Sequence, residues 1–317
     1  MLSRVADSFY WMRRYLERAE HSARVLDVHL GLSLDDPTDA VGRTLLSAVG
    51  EAPIEVGVQA AAVVPAGTTG RIDPAHRRAV VGFVVAAREN ARQIREHISS
   101  EMWEQLNSLY LKLRDVAAAD DTDSSALLRS VIEGTHLFHG VSEATLSHGE
   151  GWHFMQLGRY IERATTTASM LEHYFGERGH TSFDVREPGE YVEWVGLLRA
   201  CAAFEAYCRA HTADVQPRRL AEFLLLHAEC PRSVRFAADR IEDSLRAIAR
   251  GLGRQATGRP DRFAGRLRAA LNFGTIDEIL EDSLVRYVES IRRQCDQIHA
   301  ALHQSYIGYP IETALAR

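Results

Sequence analysis

The chain has 317 residues, 46% of them hydrophobic and 25% charged, a balance that buries a substantial core beneath an ordinary charged surface. A formal net charge of −6 excludes a general binder of nucleic acid or of anionic membrane, because both need a cationic surface that displaces counterions. Lys112 is the only lysine, so lysine chemistry rests on one residue, and the remaining cationic groups are arginines that keep their charge when buried.

The predicted elements are helical throughout. Ser3 can cap a first helix in which Val5, Phe9, Met12, Leu16, Ala19, Ala23, Leu26 and Leu30 follow in alternating steps of four and three. That seam predicts a long helix ending near Gly31, with Asp35-Asp36-Pro37 as breaker. A short helix is expected over 39–50 and an irregular stretch over 51–73. Asp73-Pro74 reads as N-cap and first turn of a helix over 74–99, followed by helices over 100–118 and 124–147. His148-Gly149-Glu150-Gly151 breaks the chain before a second long helix from Trp152 to about Phe175. After a polar linker over 176–189, helices are expected over 190–211, 217–228, 231–252, 258–272 and 276–306. Strand alternation is nowhere sustained, so the predicted fold is all-α, a long-helix bundle. The N-terminus, interrupted by Arg4, Asp7, Arg13 and Arg14, carries no secretory signal, and no apolar run reaches the roughly 18 residues of a membrane span. Cys201, Cys208, Cys230 and Cys295 form no CxxC pair, which predicts reduced thiols in a cytoplasmic protein.

One motif occurs twice. Arg14-Tyr15-Leu16-Glu17-Arg18-Ala19 returns as Arg159-Tyr160-Ile161-Glu162-Arg163-Ala164, and the same offset pairs Phe9 with Phe154, Ala23 with Ala168 and Leu26 with Leu171. An offset held over that length predicts two pseudo-repeated halves, 1–148 and 149–317, within a single helical domain. In each copy the two arginines and the glutamate lie three and four residues apart, on one flank beside the apolar seam. His21 and Arg24 extend the first flank. If the two helices pack antiparallel, the clusters Arg14/Glu17/Arg18 and Arg159/Glu162/Arg163 meet near the centre. Such a network either fixes helix register or offers spare guanidinium groups to a carboxylate or phosphate.

Other candidates are weaker in pattern. Asn90, Arg92, Arg95, Glu101 and Trp103 form a second polar set, which is either a solvated face or a wall opposite the first cluster. Trp152, at the start of the second motif helix, follows a Gly-Glu-Gly turn that either only stops one helix and starts another or holds a ligand at the helix N-terminus. The Glu133/His136 pair has the spacing of half a di-iron site, Asp296/His299 is a loose second pair, and His299 and His303 are spaced to share a metal, but such coincidences are common among 14 histidines and no metal is expected. Neither a phosphate-binding glycine loop nor a nucleophile elbow is present, so no cofactor is expected.

Several segments together resemble the bacterial Alpha-E family, named for an α-helical domain with an Arg/Glu motif. They are MLSRVADSFYWMRRYLERAE at the start, ARENARQIREHISSEMWEQLN at 87–107 and GEGWHFMQLGRYIERA at 149–164. LLRACAAFEAY at 197–207 and FLLLHAECPRSVRF at 223–236 add to them. One step departs from the family pattern: HRRAV at 76–80 stands where an Asn-Pro-x-Ser-Ile-like stretch precedes ARENAR. The resemblance implies association with circularly permuted ATP-grasp ligases and transglutaminase-like peptidases, encoded beside or fused to such proteins. The expected role is an auxiliary subunit of an ATP-grasp-dependent peptide-ligation or peptide-tagging system, binding its partner or an anionic peptide through the Arg/Glu clusters. The alternatives are an enzyme whose Arg/Glu centre is the active site, and a pure helical scaffold.

Overall fold

In a computed structural model the described residues are 3–35, 74–117, 124–176, 188–253 and 255–308. Among them are twelve α-helices and no strand. We number them α1 Ser3–Asp35, α2 Pro74–Gln93, α3 Ser100–Ala117, α4 Ser124–Thr145, α5 Glu150–Gly176 and α6 Pro188–Ala200. The remaining six are α7 Phe204–His211, α8 Pro217–Leu226, α9 Val234–Gly251, α10 Arg259–Phe273, α11 Ile276–Asp282 and α12 Leu284–Leu302. The segments 39–50 and 51–73 lie outside the described residues. Among the described residues no helix is long and apolar enough to cross a membrane.

The seam does what its period dictates. Every one of its positions on α1, from Val5 to Leu30, is buried, and so are Phe154, Leu157, Ile161, Ala164, Ala168, Leu171 and Phe175 on α5. Contacts close two rings of four helices, one of α1, α2, α3 and α4, the other of α5, α9, α10 and α12. The rings share the α1–α5 contact, and α6 also lies on α1. Packed on so many sides, α1 buries polar as well as apolar residues: Arg13, Arg14, Glu17, Arg18, Glu20 and His21 are each at most 8% exposed.

The two motif helices meet, but not in the antiparallel arrangement considered from the sequence. Phe9 covers Gly151, the Tyr10 carbonyl faces Gly158, Arg14 reaches Glu162 and Glu17 meets Arg163, so positions rise together along both helices and they run parallel. A short loop cannot join parallel neighbours, and α2, α3 and α4 make the return path. The crossing is tight because α5 has glycine there. A methyl group on Gly158 would overlap the Tyr10 carbonyl oxygen, and one on Gly151 would come within 2.7 Å of the Phe9 ring.

Three expected helices are broken, and the first of them, 74–99, stops at Gln93 and is followed by a 3-10 turn over Arg95–His97. The span 190–211 divides at Ala202, whose φ of 49° is left-handed. The Ala203 N–H donates to the Leu198 carbonyl at 2.8 Å and the Ala202 N–H to Arg199 at 2.9 Å, a Schellman ending with alanine where glycine is usual. The span 276–306 divides at Ser283, whose hydroxyl accepts the Arg286 N–H and caps α12, and it ends in a π-helical turn over His303–Ile307. The HRRAV segment lies inside α2, with His76 and Val80 buried. Of the four cysteines, Cys201, Cys230 and Cys295 are buried and Cys208 is half-buried, all as free thiols.

Candidate functional site

The parallel crossing exchanges carboxylates between the two motifs. Arg18 grips Glu162 with two nitrogens, Nε to Oε1 at 2.5 Å and Nη2 to Oε2 at 3.1 Å, while Arg14 Nε donates to Oε2 at 2.7 Å. Reciprocally, Arg163 Nε donates to Glu17 Oε1 at 2.6 Å. Burial alone would raise both glutamates; for Glu162, Arg14 and Arg18 overcome it, and for Glu17, Arg163 and Arg232 do, so each carboxyl sits at about 2. All six motif residues are therefore brought together inside the molecule.

The two exchanges differ in completeness. Around Glu162 the polar groups are used: Arg14 Nη1 also donates to the Tyr10 hydroxyl at 3.2 Å, and that hydroxyl pairs with His299 Nδ1 at 2.8 Å. The Arg14 guanidinium also lies 5.0 Å from the Trp11 ring centroid. Around Glu17, Oε1 receives both Arg163 and Arg232, the latter at 3.0 Å, whereas Oε2 has no hydrogen-bond partner. Two further guanidiniums stop short of that oxygen, Arg13 Nη2 at 3.7 Å and Arg159 Nε at 3.8 Å. The Arg159 Nε is itself buried without a partner, and its Nη1 lies 2.9 Å from Nε2 of His139. Four arginines thus crowd one carboxylate. Burial lowers Arg13, Arg159 and Arg163, and repulsion between neighbouring guanidiniums lowers them further. His139 is depressed to about 3 by burial and then by Arg13, Arg159 and Arg163, so it is neutral.

This overcharged side opens into a cleft of about 700 Å³. Its wall contains six arginines, Arg13, Arg24, Arg159, Arg163, Arg199 and Arg232, against the carboxylates of Glu20, Asp27 and Glu205. Glu20 is already committed, because its Oε1 receives Arg232, Arg24 at 3.0 Å and His136 at 3.0 Å. The loop before α9 supplies Arg232; its Ser233 hydroxyl caps α9, and the neighbouring Pro231 carbonyl accepts Arg163 at 3.0 Å. The left-handed Ala202 also lines the cleft. A carboxylate or phosphate placed beside Arg13 and Arg159 would offset the repulsion among the guanidiniums that line such a cleft.

The second polar set is not part of this cleft. Arg92 is exposed and paired with Glu89, Glu101 is exposed, and Asn90 donates to the Ala86 carbonyl on its own helix. Trp103 is clasped between Arg88 and Arg95, at 5.3 and 5.6 Å from its ring, so these residues tie α2 to the start of α3 at the surface. Trp152 lines a different cavity. His136, half of the Glu-x-x-His pair, bonds to Glu20, while Glu133 is exposed. Sequence reasoning missed Arg13, His139, Arg199 and Arg232 as site residues. Arg13 stands beside Arg14 in plain view, but its tilt toward the cleft depends on which helix flanks it.

Fold and site together define an all-helical protein whose centre is a reciprocal Arg/Glu exchange with one cationic mouth. The chain belongs to the Alpha-E family, described as a predicted alpha-helical domain with a conserved ER motif, which it matches over residues 1–307. It is also similar to an uncharacterized protein of Mycobacterium bovis, 25% identical across 95% of this chain. Uncharacterized proteins from two strains of Mycobacterium tuberculosis are 25% and 24% identical over the same share. The chain spans about a third of the length of these relatives, 35% in each case. No solved structure matches it.

Proposed function

We propose that this chain is a binding component of an ATP-grasp-dependent peptide- or amide-ligation or peptide-tagging system, and that it holds the carboxylate of an anionic peptide in the arginine cleft. The observation that carries this reading is the surplus of guanidinium around Glu17: Arg13 and Arg159 stand 3.7 and 3.8 Å from a buried carboxylate oxygen, within ion-pair range and without a hydrogen bond. An unfilled hydrogen-bonding group among like charges favours an incoming oxyanion. Two considerations support the wider role. The Alpha-E resemblance implies ATP-grasp and transglutaminase-like partners, and in the mycobacterial relatives the matched part is only about a third of a longer chain. The two four-helix rings and the repeated motif further support a chain of two halves, 1–148 and 149–317, in one domain.

Binding rather than catalysis is favoured by the state of His139. A general base works best with a pKa near the operating pH, and a ring held at about 3 has little basicity. The test is calorimetric titration with an acidic hexapeptide carrying a free C-terminal carboxylate and with its C-terminal amide. The acid form binds at least about tenfold tighter than the amide, the worth of one charge-assisted contact, and Arg159→Gln removes the difference. Equal affinity of acid and amide contradicts the carboxylate reading. Partnership is tested separately by co-purification with a circularly permuted ATP-grasp protein from the same genome; absence of a complex at micromolar concentration counts against it.

A further inference from the structure

A second cavity, of about 790 Å³, lies between the N-terminal half of α5 and the length of α9, and it shares no lining residue with the arginine cleft. Its character is different. Trp152, Tyr160 and Phe236 supply an aromatic wall, with Tyr160 and Phe236 rings 5.9 Å apart, and Arg240, Arg246 and Arg250 supply a cationic side. Two of those arginines are engaged by their own helix, Arg246 with Glu242 at 2.6 Å and Arg240 with Asp243 at 3.5 Å. Arg250, exposed in the last turn of α9, has no carboxylate partner among the described residues.

The aromatic wall carries unspent polar atoms. Trp152 Nε1 and His153 Nδ1 are both buried and both lack a hydrogen-bond partner. The Trp152 ring is held in place, stacked on His148 at 4.2 Å and 23° on one side and meeting the edge of His153 at 5.0 Å. Burial and the nearby charges of His148 and Arg250 lower His153, so the ring is neutral and Nδ1 can be left without a proton, as an acceptor. Buried donors and acceptors are almost always paired, and here two orphans sit on adjacent residues that line the cavity, where a ligand group that reached them would satisfy both. An indole N–H asks for an acceptor, the flat wall asks for a ring, and the unpaired guanidinium asks for an anion.

We propose that this cavity binds a planar aromatic ring bearing an oxyanion: the ring against Tyr160 and Phe236, a ring or carboxyl acceptor on Trp152 Nε1, and the anionic group toward Arg250. This assignment is independent of the function proposed for the arginine cleft, since different side chains carry it. Two sources share the chemistry, a nucleoside monophosphate and an aromatic carboxylate.

The test uses the full chain, 15N-labelled at its tryptophans, and follows the Trp152 indole resonance, assigned by its loss in Trp152→Phe. The probes are AMP against adenosine, phenylacetate against phenylacetamide, and inorganic phosphate. We expect a saturable downfield shift of that one resonance with AMP or phenylacetate, and at least about tenfold weaker binding of the neutral analogue, which lacks the charge-assisted contact. Stronger binding of AMP identifies a nucleotide, and stronger binding of phenylacetate an aromatic acid. Arg250→Gln, at an exposed position that leaves the fold intact, reduces the charged probe to the affinity of its neutral analogue. The proposal is overturned if no probe shifts the Trp152 resonance up to about 5 mM. It is equally overturned if phosphate alone accounts for all binding, or if Arg250→Gln changes nothing.

Discussion

The two Arg/Glu exchanges at the centre of this molecule begin from the same six-residue motif and end in different states. Glu162 is saturated by Arg14 and Arg18, and the surplus donor of Arg14 is absorbed by Tyr10. Glu17 has four guanidiniums around it and one oxygen without a hydrogen bond. The difference traces to neighbours of the motif. At the offset of the repeat, Tyr10 corresponds to Met155, so Arg159 has no phenol to bond. Arg13 corresponds to Gly158, so one copy gains a cation where the other gains room for a backbone. A shared motif supplies a rigid centre, and two unshared positions turn one side of it into a mouth.

The comparison predicts unequal responses to mutation. Glu162→Gln strands two buried guanidiniums in a closed site and costs about 3–5 kcal/mol, read as a fall in the urea midpoint, with no relief from added anion. A loss below about 1 kcal/mol breaks the claim that this side is a tightly coupled structural unit. Gly158→Ala acts on both sides at once, because the added methyl group pushes α5 off the Tyr10 carbonyl and lengthens every exchange contact. We expect a cost of about 1–3 kcal/mol from that overpacking, measured by thermal denaturation.

A smaller effect separates the two sides by titration. His299 packs against Arg14 and Tyr10 on the closed side, and His139 against Arg159 on the open side; burial first and then neighbouring arginines lower both to about 3. Both rings are neutral in the fold and protonate near 6.5 once unfolded, so the unfolded state binds more protons and stability falls as pH drops from 6.5 toward 3. The glutamate contribution works in a lower window: with folded values of about 2, it is complete above the unfolded pKa near 4.5 and is lost only as pH falls toward 2. Phosphate in the cleft places negative charge beside His139 and raises its pKa, leaving His299 where it is. Imidazole NMR titrations with and without phosphate distinguish the two, and equal shifts erase the contrast between closed and open sides.

Much of the centre is legible in the sequence. The three-four spacing of Val5 to Leu30 identifies a buried stripe because burial follows helical period, and the recurrence at Arg159 identifies the second helix of the pair. Direction was not legible, since a repeat constrains which residues correspond and not how two helices cross; the parallel arrangement depends on Gly151 and Gly158 admitting α1 closely. The breaks at Ala202 and Ser283 escaped for a related reason. Alanine carries no turn signal, and its left-handed φ is imposed by the Schellman bonds to Leu198 and Arg199. Arg232 and His139 come to the cleft from α9's leading loop and from α4, by contacts that no local pattern encodes. Arg92, Arg95 and Trp103 mislead in the opposite sense, because a cation–aromatic clasp at the surface has the same composition as a ligand wall.

The central claim is tested most directly by scanning calorimetry of Glu17→Gln beside Glu162→Gln, each with and without about 50 mM phosphate at constant ionic strength. The account predicts that both variants melt early in buffer alone and that phosphate returns most of the lost stability to Glu17→Gln only, by entering a cleft whose arginines have lost their internal counterion. Equal recovery of both variants, or of neither, contradicts it.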